Sequence, residues 1–143
     1  MPDSLPTSEK FQENSESAEK HLARFKGEVL GHFINGKHIP VSSGKTFANV
    51  CPIDGRIINQ VTAGSVEDVD AAAIAAQQAF PAWRAMPGEE RRRILHRIAD
   101  IIVDRAEEIA LVECMDTGQA YRFMGKAAIR GSENYRFFAD KAP

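Results

Sequence analysis

The stretch SVEDVDAAAIAAQQAFPAW, residues 65–83, constrains this chain more than any other. Val69, Ala72, Ala73, Ala76, Ala79 and Phe80 fall on one stripe at helical spacing. Ser65 is placed to cap the helix, with Asp68 at the reciprocal capping-box position, and Pro81 is expected to end it. A buried face made mostly of alanine demands a partner that approaches closely, such as a sheet. The rest of the chain offers only short β segments, so the fold has to draw on packing that these residues do not supply by themselves.

Those segments precede the helix. HFINGKHI carries Asn35-Gly36 between apolar-containing runs, the strongest short hairpin signal, because a type I′ turn needs positive φ at both central residues. ANVCPIDGRIINQV repeats the device with Asp54-Gly55, and Pro52 places its strand at an edge or ends it early. Residues 1–28 read as a mobile arm: the first 20 are rich in Ser, Glu, Lys, Pro and Asn, and Ala18 to Phe25 are the stretch expected to turn helical. Residues 29–143 read as one domain.

After residue 85 the pattern stays helical. Pro87, Glu89 and Glu90 suit the N-terminus of a second helix, and Ile94, Ile98, Ile101 and Ile102 form its expected buried stripe. Asp104 and Glu107 signal a break and a new helix to about Thr117, stopped by Gly118 in the left-handed region. A fourth helix is expected from about Met124 to Ala139, with Met124, Ala128, Gly131, Tyr135 and Phe138 on one face.

Chemistry-bearing motifs are scarce. The 143 residues carry a net charge of −2, which argues against a nucleic-acid or anionic-membrane partner. The one basic run, Arg91 to Arg93, follows Glu89-Glu90 and reads as a solvated helix face. There is no GxGxxG, Walker loop, HExxH or GxSxG pattern. The start shows no apolar secretory core and no run approaches the roughly 20 apolar residues that span a bilayer, so the expected location is cytoplasmic. Two cysteines, with no CxxC or Cys/His spacing, exclude a disulfide framework and give no zinc signature. Cys114, in VECMDTGQ, sits near a helix C-terminus beside Glu113 and Asp116, both of which disfavour a thiolate. It reads as a small half-buried hydrophobe, as does Cys51.

Taken in order, FINGKHIP, VCPIDGRIINQVTAGSVEDVDAAAIAAQQAFPAW and ERRRILHRIADIIVDRAEEIALVECMDTGQ resemble the N-terminal segment of the NAD(P)-dependent aldehyde dehydrogenase superfamily. Gln119 stands where that family usually has lysine. The resemblance implies an α/β fold, of which this is the N-terminal portion: two β-hairpins followed by about four helices that pack on a Rossmann-like sheet missing from this chain. It implies oxidation of an aldehyde to a carboxylic acid, with NAD or NADP as cofactor and a homodimer or homotetramer as the assembly. The nucleophilic cysteine, the glutamate base, the oxyanion asparagine and the cofactor-loop glycines of the family match nothing here, so this chain by itself is expected to be inactive. AIRGSENYRFFADKAP resembles the branch that acts on muconic semialdehydes, with betaine-aldehyde-type enzymes the nearest rival. That resemblance implies substrate binding by Arg130, whose guanidinium fork suits a carboxylate, with Asn134 one turn along the same helix. The competing class is a non-enzymatic helical module that binds a partner through its apolar face.

Overall fold

The computed structural model describes residues 9–27, 29–40 and 44–142. Its elements run α1 (Glu9–Leu22), a short 3-10 turn (Ala23–Phe25), β1 (Val29–Leu30), β2 (His32–Ile34), β3 (Lys37–Ile39), β4 (Thr46–Val50) and β5 (Ile57–Thr62). Then come α2 (Val66–Ala85), α3 (Gly88–Asp104), α4 (Ala106–Thr117), α5 (Tyr121–Met124) and α6 (Ala127–Ala139).

The arm expected over residues 1–28 is corrected from Glu9 onward, since α1 begins there rather than near Ala18. Ala18 and Leu22 are buried where α1 packs on α4. Polar composition hid this, because two well-spaced apolar residues suffice once a neighbouring helix covers them. Glu19 reinforces the site by pairing with Lys26 at 2.9 Å and with Arg56. Residues 1–8 and 28 lie outside the described residues.

β2 and β3 pair antiparallel through a two-residue turn, with φ of 52° at Asn35 and 72° at Gly36, as the Asn-Gly signal requires. Phe33 meets His38 across the pair, ring centroids 5.0 Å apart. The second hairpin differs from its expectation. β4 and β5 pair antiparallel, but their loop spans residues 51–56, and Gly55 alone of Asp54-Gly55 takes positive φ. The Gly55 N–H donates to the Cys51 carbonyl at 2.8 Å, and the Arg56 N–H to Asp54 Oδ1 at 3.1 Å. β4 ends at Val50 and is an edge strand, as Pro52 suggested; β1, which the pattern did not reveal, pairs parallel to β5, so the sheet order is β1-β5-β4.

The capping box at α2 forms as expected: the Asp68 N–H donates to Ser65 Oγ at 3.2 Å, and the Ser65 N–H to Asp68 Oδ2 at 2.9 Å. Pro81 does not end the helix, which continues to Ala85. Proline deprives one carbonyl of its helical partner. On α2 that carbonyl is on Gln77, an exposed residue, so it is open to solvent in place of the lost bond. No residue of α2 is buried, and its alanines meet the β2–β3 hairpin, where Phe33, Ile34, Asn35 and Gly36 share a shallow groove with Ala72, Ala75, Ala76 and Ala79.

The break between α3 and α4 falls at Arg105, as expected near Asp104, but no side chain caps α4. Arg105 instead forks onto Glu108, at 2.8 and 2.7 Å. The isoleucine stripe of α3 is also corrected. Ala99 is buried and Leu95, Ile98 and Ile102 are half-buried, but Ile94 and Ile101 are exposed. The helix is rotated so that Arg92, His96 and Asp100 face α6, where they meet Asp140 and Arg136. The fourth helix forms as α6, starting at Ala127 rather than about Met124, and a short α5 that the pattern did not reveal precedes it. Of its expected face, Met124 and Ala128 are buried, while Tyr135 and Phe138 are exposed and Ser132 and Ala139 are buried instead. The largest side chains buried almost completely are Cys51 and Ser132, so the core is thin: Ala110, Cys114 and Met124, packed by Tyr121 and Ala127.

Candidate functional site

Arg130 and Asn134 both lie on α6, one turn apart and exposed. The structure separates their surroundings. Arg130 lines an open groove of about 490 Å³ with Arg122, Phe123, Lys126, Ile129 and Glu133; Asn134 does not line it. Sequence reasoning missed Arg122 and Lys126, although the steps of four residues from Arg122 to Lys126 and from Lys126 to Arg130 were a signal for one face.

The groove is anchored from behind. Met124 and Ala128 turn into the core and Tyr121 packs beside them, which sends the alternate positions of α5 and the first turns of α6 outward. Ser132 is buried, and its hydroxyl donates to the Ile129 carbonyl at 2.7 Å. Further along, Arg136 pairs with Asp100 at 2.6 Å, and Asp140 meets Arg92 at 2.9 Å and His96 at 3.0 Å, fixing α6 against α3. The His96 imidazole, and then the Arg92 guanidinium, hold the Asp140 carboxyl below the usual carboxylate range.

Inside the groove, the Arg122 guanidinium stacks over Phe123, 4.8 Å from the ring centroid. No ion pair occupies Arg122, Lys126 or Arg130 among the described residues, whereas Arg24, Arg56, Arg92, Arg93, Arg105 and Arg136 each pair with an acid. Phe123 and Ile129 supply an exposed apolar floor. Such a surface can bind an anion attached to a carbon chain, but it offers no nucleophile.

Cys114 is buried, and its thiol is pushed up by that burial and then by Glu113, as the sequence indicated for an inert residue. Cys51 is fully buried. No cluster among the described residues could hold a metal ion. A dinucleotide does not fit these residues either. β5 enters α2 through Ala63-Gly64-Ser65, but the first turn of α2 is already occupied by its own capping box, whose Asp68 carboxylate would repel a pyrophosphate. No helix among the described residues is long and apolar enough to cross a membrane.

Short strands lead into an alanine-faced helix, and the helices around it keep apolar residues exposed. The aldehyde dehydrogenase family matches over residues 38–143, and the chain belongs to that family. It is 41% identical over 113 residues to 2-hydroxymuconic semialdehyde dehydrogenase from Pseudomonas sp. strain CF600, an alignment covering 78% of this chain and 23% of that protein. Among solved structures, HpcC from Thermus thermophilus superposes with a TM-score of 0.83 at 36% identity, over 88% of this chain and 24% of the other. Betaine aldehyde dehydrogenase from Staphylococcus aureus, solved with NAD+, shares the fold at 24% identity and a TM-score of 0.79, over 86% of this chain and 25% of the other. The chain therefore spans about a quarter of the length of the relatives it matches.

Proposed function

We propose that these residues belong to a cytoplasmic, homodimeric or homotetrameric NAD(P)-dependent dehydrogenase that oxidises a muconic-type semialdehyde, such as 2-hydroxymuconic or 5-carboxymethyl-2-hydroxymuconic semialdehyde, in the degradation of aromatic compounds. Arg130 holds a carboxylate of the substrate; Asn134, one turn along α6, reaches the substrate from outside that lining. The observation that carries this reading is the Arg130 guanidinium, without an ion-pair partner among the described residues, at the edge of a groove with an apolar floor. A guanidinium fork binds a carboxylate through two parallel hydrogen bonds, and the floor suits the unsaturated carbon chain that bears it. The 41% identity to a muconic semialdehyde dehydrogenase agrees with it.

The same groove argues against betaine aldehyde, the rival substrate. A quaternary ammonium would meet Arg122, Lys126 and Arg130 against the single acid Glu133. The test is NADH or NADPH formation by the complete enzyme, comparing kcat/KM for a carboxylated semialdehyde with that for betaine aldehyde. A preference of at least about tenfold for the carboxylated substrate, reduced by Arg130→Gln, is the expected result. Preference for betaine aldehyde would end the reading, and comparing the two cofactors in the same assay determines which is used.

A further inference from the structure

We propose that Asn35 is a site of spontaneous covalent modification: its side-chain amide becomes a carboxylate through a cyclic imide formed with Gly36, and the isomerised product undoes the β2–β3 hairpin. Both residues are exposed at the hairpin tip. Among the described residues no hydrogen bond occupies the Asn35 side chain or the Gly36 N–H. A Cβ on Gly36 would meet nothing within 4 Å, so no neighbouring group screens its backbone nitrogen. Of the five asparagines, Asn14, Asn35, Asn49, Asn59 and Asn134, Asn35 alone precedes a glycine.

The chemistry needs only water. The Gly36 N–H loses its proton to solvent, and the nitrogen attacks Asn35 Cγ. A C–N bond forms and closes a succinimide ring, the Cγ–Nδ2 bond breaks, and Nδ2 takes up a proton from solvent and leaves as ammonia. Water then opens the ring at either carbonyl. One opening gives aspartate; the other gives isoaspartate, in which the main chain runs through the former side chain. Glycine favours the attack because no Cβ crowds the nitrogen.

Ring closure also requires the Asn35 backbone to leave the turn, where its φ is 52°. That motion costs little. β2 and β3 have three residues each, too few for a hairpin that is stable by itself. The base of the hairpin is held to α2, with His32 Nε2 lying 3.3 Å from Asp68 Oδ2. The tip shares its groove with Ala72, Ala75, Ala76 and Ala79, whose side chains offer no hydrogen bond. Both products place a carboxylate beside those alanines. Isoaspartate also adds a methylene to the turn whose two residues set the pairing of Ile34 with Lys37, and the register is lost.

The experiment incubates the complete enzyme in mildly alkaline buffer and follows its proteolytic peptides by mass spectrometry, with electron-transfer fragmentation separating isoaspartate from aspartate. Asn35 is expected to convert at least about tenfold faster than Asn134, which lies within α6 ahead of a tyrosine. Gly36→Ala should slow the conversion severalfold, although alanine strains the turn at φ 72°, because its Cβ crowds the attacking nitrogen. The isoaspartate form, separated by ion exchange, should exchange its amide hydrogens faster than the unmodified form over residues 32–39 and alike over α6. Asn35 that keeps its amide, or that converts no faster than Asn134, overturns the proposal. So does equal conversion at Asn59 in β5, which would report general unfolding rather than the chemistry of the tip. Faster conversion in Gly36→Ala would overturn the role given to glycine, and identical exchange over the hairpin in the two forms would overturn its undoing. Neither readout depends on the substrate, so each result is independent of the proposed function.

Discussion

Arg130 and Cys114 show how position decides what a reactive side chain does. Both belong to residue types used in binding and catalysis, but one faces an open groove and the other lies against Ala110 and Met124. Cys114 should therefore resist alkylation by iodoacetamide in the folded protein and react on denaturation, which mass spectrometry of the modified peptide would follow; rapid labelling in native buffer would contradict its burial. Gly118 is set by backbone chemistry instead. It ends α4 at φ 74°, and a Cβ there would lie 3.0 Å from Pro52 Cγ. Gly118→Ala should cost about 1–2 kcal/mol from the left-handed conformation, and more if the proline loop cannot shift, measured by chemical denaturation.

Elements were legible wherever their signals are local. The capping box of α2, the proline start of α3, the glycine stop of α4 and the Asn-Gly turn each involve residues a few positions apart, and each forms. Ser65→Ala should destabilise α2 by about 1 kcal/mol, since it leaves the Asp68 N–H without its acceptor; amide exchange in the first turn of α2 would report it. What local signals missed was the side of each helix that turns inward. The isoleucines of α3 imply one buried face, but α6 presents Arg136 and Asp140 and draws Arg92, His96 and Asp100 toward itself. The resulting network has a pH dependence of known sign. Asp140 has a folded-state pKa below its unfolded value, so its contribution is present above the usual carboxylate range and is lost as pH falls through that lowered value. Acidification below about pH 4 should loosen the end of α6 from α3, and NMR shifts of Ala139 and Asp140 against pH would show it. Because Asp140 is exposed, the change should be local and weakened by salt.

At the scale of the whole molecule, the dominant fact is uncovered apolar surface. Phe80 on α2 is 57% exposed and Phe138 on α6 is 65% exposed, joined by Val66, Val69, Ile94 and Ile101, while the buried residues are mostly small. Surface of this extent binds hydrophobic dyes. The 143-residue chain studied alone should enhance the fluorescence of such a dye, and it should show no aldehyde oxidation, because no described residue supplies an activated nucleophile or a dinucleotide site. Measurable NAD-linked turnover by the pure chain would disprove the second expectation. A cooperative, monodisperse fold without dye binding would favour the helical interaction module.

The sequence by itself determined where most helices and turns begin and end, because caps, prolines, glycines and apolar periods act over a few residues. The same local order of motifs carried the resemblance to aldehyde dehydrogenases that the family match bears out. Only the tertiary structure decided that α1 starts at Glu9, that α2 runs through Pro81, and that α3 offers α6 its polar stripe. It alone drew Arg122 and Lys126 into the groove of Arg130 and left Asn134 outside that lining. The reason is physical: helix formation is settled by neighbours along the chain, but burial and charge pairing are settled by whichever distant segment arrives on a given face.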